Sequence, residues 1–182
     1  MIDFTTIAYL KNGNQKQKQA FEVLTRYKVL ENLAEFDPLL TGTIPIDIAI
    51  DGSDLDIICC WKNKADFIKK VTSVFQEHSG FSIKEIEIDA QESIVAVFKL
   101  DEFEIEIFGQ SIPTQNQNAY KHMLIEDRIL RSKDENFRLE IIKLKQKGYK
   151  TEPAFALLLG LKGDPYQELL SFEAQNSLPD TR

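Results

Sequence analysis

Apolar side chains recur at three- and four-residue steps over residues 15–34, where Ala20, Phe21, Val23, Leu24, Tyr27, Leu30 and Leu33 mark the inward face of one helix or of two in series. Asp37-Pro38 interrupts that period. The next run carries Pro45 and an Asp51-Gly52 turn signal before Leu55 to Trp61, an apolar-rich stretch that reads as a strand. Asn63 is placed to cap a helix through about Gln76, with Phe67, Ile68, Val71, Val74 and Phe75 inward and Gly80 ending it. Residues 81–88, 93–100 and 103–109 alternate or run β-branched, and Asp101-Glu102 leaves room only for a tight turn, so the last two strands read as a hairpin. Beyond Pro113 the pattern is helical, roughly 114–132, 135–147, 153–161 and 165–174, punctuated by Gly148, Gly163 and Pro165. Phe155, Leu157, Leu158, Leu161, Leu169, Leu170 and Phe172 read there as core packing. This order predicts an α+β domain over 1–112, a helical region over 113–175 packed on it, and a disordered tail over 176–182.

The 182 residues suit one domain, and 43% hydrophobic with 28% charged side chains excludes a disordered chain. Lys plus Arg number 22 against 29 Asp plus Glu, a net charge of −7, which argues against a general nucleic-acid or anionic-membrane coat binder. The charge is uneven. Residues 35–110 hold 16 acidic and 6 basic side chains, whereas 11–28 hold 5 basic and 1 acidic and 121–150 hold 9 basic and 5 acidic. Such blocks are either solvated helix faces or a cationic rim around an anionic, metal-holding centre. Cys59 and Cys60 are adjacent, so no disulfide framework or spaced zinc site can be written, and no window reads as a signal peptide or membrane span. A cytoplasmic location without membrane partners is expected.

Asp54 and Asp56 open the strand that begins near Leu55, and side chains two apart on a strand share a face. Glu104 and Glu106 repeat the pattern on a later strand. The competing reading is two half-exposed strands with polar outer faces. If those faces align, three or four carboxylates converge, enough to hold two magnesium ions about 3.5–4 Å apart. Gly42-Thr43 precedes the first pair by ten residues. Glycine lets a backbone approach a phosphate closely, and the threonine hydroxyl can donate to it.

Gly-Thr, ten residues, Asp-x-Asp and a later strand of alternating glutamates resembles the nucleotidyltransferase superfamily of the polymerase-beta type. More closely, GTIPIDIAIDGSDLDIIC with EIEIFGQSIPTQNQNAYKHM and AFALLLGLKGDPYQELL resembles, over most of 36–172, a bacterial family within it catalogued as a domain of unknown function. The resemblance implies a nucleotidyltransferase-like mixed sheet with flanking helices and a C-terminal helical region on the acceptor side of a cleft. It implies that Gly42 and Thr43 contact the triphosphate, with Ser53 grouped beside them, and that Asp54 and Asp56 bind magnesium. Glu104 or Glu106 is the third carboxylate, and superfamily spacing slightly favours Glu104. The chain departs from the pattern in having Thr43 for serine or glycine and glutamate for aspartate as third acid. The implied reaction is metal-dependent transfer of a nucleoside monophosphate from a nucleoside triphosphate to an acceptor hydroxyl on a small molecule, a protein or an RNA end. The acidic balance weighs against a long polynucleotide, while the basic stretch 121–150 keeps RNA open. The alternatives are a non-catalytic nucleotide-binding module on the same fold and a protein-interaction module using helices 15–34 and 135–147.

Other motifs fail on their residues. An EF-hand would place Ala49 and Ile58 where acids are needed, and neither a P-loop nor a dinucleotide fingerprint is present. Cys59 and Cys60 read as buried thiols. Asn118, His122 and Glu126 lie four apart on one helix face, which reads as solvated surface rather than cleft lining.

Overall fold

Side chains leave strand β2 (Leu55–Cys60) alternately in two directions, and that alternation decides what covers each face of the sheet. The computed structural model describes residues 2–88 and 90–176. Five strands run in the order β1-β2-β5-β4-β3, with β1 at Leu39–Thr41, β3 at Ser82–Ile88, β4 at Gln91–Leu100 and β5 at Phe103–Gln110. Only the β2–β5 pair is parallel. Leu100 pairs with Phe103, the hairpin expected across Asp101-Glu102, and the Asp101 carboxylate accepts from Arg26 at 2.9 Å and from the Tyr27 hydroxyl at 2.8 Å.

Leu55, Ile57, Ile105, Ile107 and Phe98 form one apolar face beneath helices α1 (Gln15–Arg26) and α3 (Lys64–Phe75). Asn63 caps α3 as expected, its side chain accepting from the N–H groups of Ala65 and Asp66. The Phe67 ring of α3 lies so near β5 that a Cβ at Gly109 would overlap it. A four-residue helix α2 (Val29–Asn32) follows α1. On the other face Leu39 and Ile58, with Phe108 at its margin, join Met123, Ile129, Ile141, Phe155 and Leu169 in a second core. Helices α4 (Asn118–Ser132), α5 (Glu135–Gln146), α6 (Thr151–Leu159) and α7 (Pro165–Asn176) build it.

The helix expected from 114 begins later. Thr114–Asn116 is a 3-10 turn, and Gln117 stays extended because its side-chain amide donates to the carbonyls of Cys59 at 2.9 Å and Ile112 at 2.8 Å. Leu157 and Leu158, expected in the core, are exposed, since α6 turns Ala154, Phe155 and Ala156 inward. Of the expected tail, Asn176 ends α7, and 177–182 lie outside the described residues.

The spacer between Gly42-Thr43 and Asp54 has almost no regular structure, so its carbonyls need side-chain partners. Gln17 of α1 donates to Ile44 O at 2.9 Å and Pro45 O at 3.2 Å, and Lys16 to Ile50 O at 2.6 Å. From the other side Arg138 of α5 donates to Ile46 O at 2.8 Å and Asp47 O at 3.0 Å, and Lys145 to Ile48 O at 2.8 Å. Ile44 inserts into the first core, Ile46 and Ile48 into the second. Gln17 also closes a capping box with Asn14. Gln17→Met keeps the volume but strips partners from buried carbonyls, so it is expected to cost about 2 kcal/mol in urea unfolding.

Candidate active site

Parallel register sets Asp56 directly beside Glu106, and antiparallel register sets Thr41 on the other side of Asp56. Residues level with one another on neighbouring strands share a face, so this row is polar where the next row, Leu55 and Ile105, is apolar and buried. Past the row the sheet is left uncovered by the second core, and a cleft of about 1050 Å³ opens between it and α4–α6.

Gly42, Thr43, Ser53, Asp54, Asp56 and Glu106 all line this cleft. Gly42 follows β1 with φ +82°, a conformation open to glycine, and a Cβ there would overlap the Asp56 carboxylate. The Ser53 hydroxyl accepts from Ile50 N–H at 2.9 Å and lies 3.5 Å from the Thr43 hydroxyl, which folds the spacer back so that its two ends meet. Glu104, the residue that superfamily spacing favoured, is not in the cleft. It is exposed beside the hairpin turn, opposite Lys99, while Glu106 is half-buried two residues further in. The register therefore sets Glu106 as the carboxylate beside Asp56, and of the four expected acids three, Asp54, Asp56 and Glu106, line the cleft.

Burial, then Asp54, then Glu106 push the Asp56 pKa up to about 8, against the opposing pull of Lys145. Glu106 is raised by burial and Asp54, with Lys84 and Lys150 opposing. Among the described residues no three His, Cys, Asp or Glu side chains close into a metal site. The donor set nevertheless suits magnesium, because Asp54, Asp56 and Glu106 are hard oxygen donors facing one cleft, and the single ammonium of Lys145, bonded to the Ile48 carbonyl, leaves most of their negative charge uncompensated.

The opposite wall corrects the surface reading of α4. His122 and Glu126 are buried and, with Asn118 at the rim, line the cleft. His122 Nε2 is 3.0 Å from Tyr166 O, and its Nδ1 is 3.7 Å from Glu152 Oε1. Lys145 is the main residue that sequence reasoning missed. Burial pulls its pKa down to about 8, while Glu126, Asp54, Asp56 and Glu152 act to raise it. Its only signal was membership of the basic stretch 121–150. Cys59 is buried as expected, its thiol pushed up by burial.

Gly42→Ala combines left-handed backbone strain with the overlap on Asp56. It is expected to destabilise by about 2 kcal/mol, falling to about 1 kcal/mol in an Asp56→Ala background, where only backbone strain remains; a double-mutant cycle in urea measures the difference. Asp56 supplies a pH test. Its folded pKa lies above the unfolded value near 4, so its favourable contribution is complete below that pH and is lost as pH rises to about 8. Asp56→Asn in metal-free buffer should therefore melt above the wild type at pH 8, by about 3 °C or more, with the gap narrowing at pH 5.

No curated protein matches the chain at a significant level of sequence similarity. Among solved structures the GLD-2/RNP-8 complex aligns at TM-score 0.55 and 14% identity, over 97% of this chain and 72% of that one. The Cid1 poly(U) polymerase with magnesium and 3'-dATP bound aligns at TM-score 0.51 and 14% identity, over 76% of this chain and 44% of Cid1. Cid1 with a bound UTP analogue aligns at TM-score 0.50 and 13% identity, with the same coverage. The chain thus spans less than half the length of Cid1. At these identities the likeness establishes the fold, which is nucleotidyltransferase-like. The model of a family described as a domain of unknown function, DUF4269, matches residues 22–172, and the chain belongs to that family.

Proposed function

We propose that the protein is a metal-dependent nucleotidyltransferase that moves a nucleoside monophosphate from a nucleoside triphosphate to an acceptor hydroxyl, releasing pyrophosphate. The observation that carries this reading is the row of Asp56 and Glu106 on adjacent parallel strands, with Asp54 beside it, in a cleft that Gly42-Thr43 also lines. Structures sharing the fold hold magnesium with a nucleotide, which supports the same requirement here. Magnesium held by Asp54, Asp56 and Glu106, as two ions, would neutralise charge developing on the transferred phosphoryl group and align the displacement.

The chain's own groups divide the remaining work. Gly42 keeps the backbone clear of side-chain bulk where Asp56 stands, and the Thr43 hydroxyl can donate to a phosphate oxygen. The Lys145 ammonium, buried in the cleft, offers the triphosphate a cation in a setting of reduced screening. Glu106, with its raised pKa, is suited to accept the proton of the acceptor hydroxyl at a carboxylate oxygen. The helices 118–176 form the acceptor side, and a small molecule, a protein hydroxyl or an RNA end are the acceptor classes.

Calorimetric titration with each triphosphate tests the reading. Binding should require magnesium and weaken at least ten-fold in Asp54→Asn/Asp56→Asn, and pyrophosphate release should fall at least ten-fold in Glu106→Gln while Glu104→Gln stays within about two-fold. Magnesium-independent binding, or equal small effects of both glutamate changes, would overturn it.

A further inference from the structure

Glu126 is 4% exposed, yet it lines the cleft and its Oε1 has no hydrogen-bond partner among the described residues. A buried carboxyl oxygen without a donor is costly, and Glu126 sits where leucine would pack against the second core without that cost. The nearby groups do not supply the missing donor. The Lys145 ammonium gives one of its three N–H donors to Ile48 O at 2.8 Å and makes no hydrogen bond to Glu126 Oε1. His122, one turn earlier on α4, has Nε2 at 3.0 Å from Tyr166 O, so that nitrogen carries a hydrogen and donates to the carbonyl. Nδ1 faces Glu152 Oε1 at 3.7 Å, so His122 gives Glu126 no hydrogen bond either. This end of the cleft is therefore rich in acceptors, carries two acids, and opens to the same space as Asp54 and Asp56.

We propose that the α4–α6 end of the cleft, with Glu126 at its floor and Glu152 beside it, binds an amino group of a substrate. An amine brings two or three N–H donors to one point, and as an ammonium it offsets the two acids; a hydroxyl brings one donor and no charge. Burial first and then Glu152 raise the Glu126 pKa well above the usual carboxylate range, with Lys145 opposing, so a further cation at this point would relieve the strain on both acids. The proposal rests on the nucleotidyl-transfer reading for the remainder of the ligand. The amine has two chemical sources, an exocyclic amine of the nucleobase or an amine on the acceptor.

Two pairs of triphosphates, ATP against ITP and CTP against UTP, differ by one amine each and are titrated with magnesium into the wild type and Glu126→Leu. Glucosamine against glucose is titrated with and without triphosphate, read from imidazole proton signals; the chain has 2 histidines, and His78, set among Phe75 and Phe98, is the internal control. If the base supplies the amine, ATP and CTP bind at least ten-fold more tightly than their partners and Glu126→Leu erases the preference. If the acceptor supplies it, the pairs bind alike, and glucosamine but not glucose shifts the His122 signals in the wild type and not in Glu126→Leu. Glu126→Gln, which keeps shape and an acceptor oxygen, should retain a response weakened about ten-fold, and serves if the leucine variant does not fold. Absence of both preferences in the wild type overturns the proposal, as does an amine response that survives in Glu126→Leu. A glucosamine response without any triphosphate binding leaves the amine site standing and overturns the nucleotidyl-transfer reading.

Discussion

Asp56 stands beside Glu106 because β2 pairs in parallel with β5, and such a pair requires the chain to cross over and return in the same direction. Here the crossover is α3 with β3 and β4, and the α3 face bearing Phe67, Val71 and Phe75 packs into the core below the sheet. Two carboxylates side by side repel, so nothing in the polar row favours its own register. The row beneath does. Leu55 meets Ile105 and Ile57 meets Ile107, all four fully buried, and a slip of one residue would turn that set into the cleft and the acids into the core. The apolar face thus holds an arrangement of charges that would not form alone.

The second constraint is the backbone between Gly42 and Asp54. Without a strand or helix to satisfy them, the carbonyls from Ile44 to Ile50, Ala49 aside, take donors from side chains of α1 and α5, elements that lie far from each other in sequence. Three isoleucines divide between the two cores and fix the path. Asp54 consequently holds its place only when the helices on both sides are docked, which ties the site to the whole fold instead of to a local turn.

Most of the architecture was legible because period and punctuation report local structure. The Asn63 cap, the β4–β5 hairpin and the α5 boundaries follow from residues within a few positions of each other. What failed depended on partners remote in sequence. Alternation put Glu104 and Glu106 on one face but could not say which stood level with Asp56, since register belongs to the pair of strands. The four-residue spacing of Asn118, His122 and Glu126 describes a solvated face and a cleft wall equally well, and only the position of α6 and α7 distinguishes them. Lys145 reads as one more lysine in a basic helix, although its amino group ends on a carbonyl 97 residues away. Leu157 and Leu158 show the converse, apolar residues at helical spacing that the packing of α6 leaves in solvent.

Lys145 is where these constraints meet. Its ammonium is buried among Asp54, Asp56, Glu126 and Glu152, and its direct bond is to the neutral carbonyl of Ile48. A lysine paired closely with one carboxylate would have its charge largely cancelled; one bonded to a carbonyl keeps it, and so remains able to attract an anion entering the cleft. Arg138, two turns earlier on the same face of α5, holds the adjoining carbonyls of Ile46 and Asp47, so the spacer does not depend on Lys145 alone. The division of labour is physical: Arg138, with its planar fork, anchors backbone, whereas the lysine's single rotatable ammonium can respond to a ligand's charge without releasing the loop that positions Asp54.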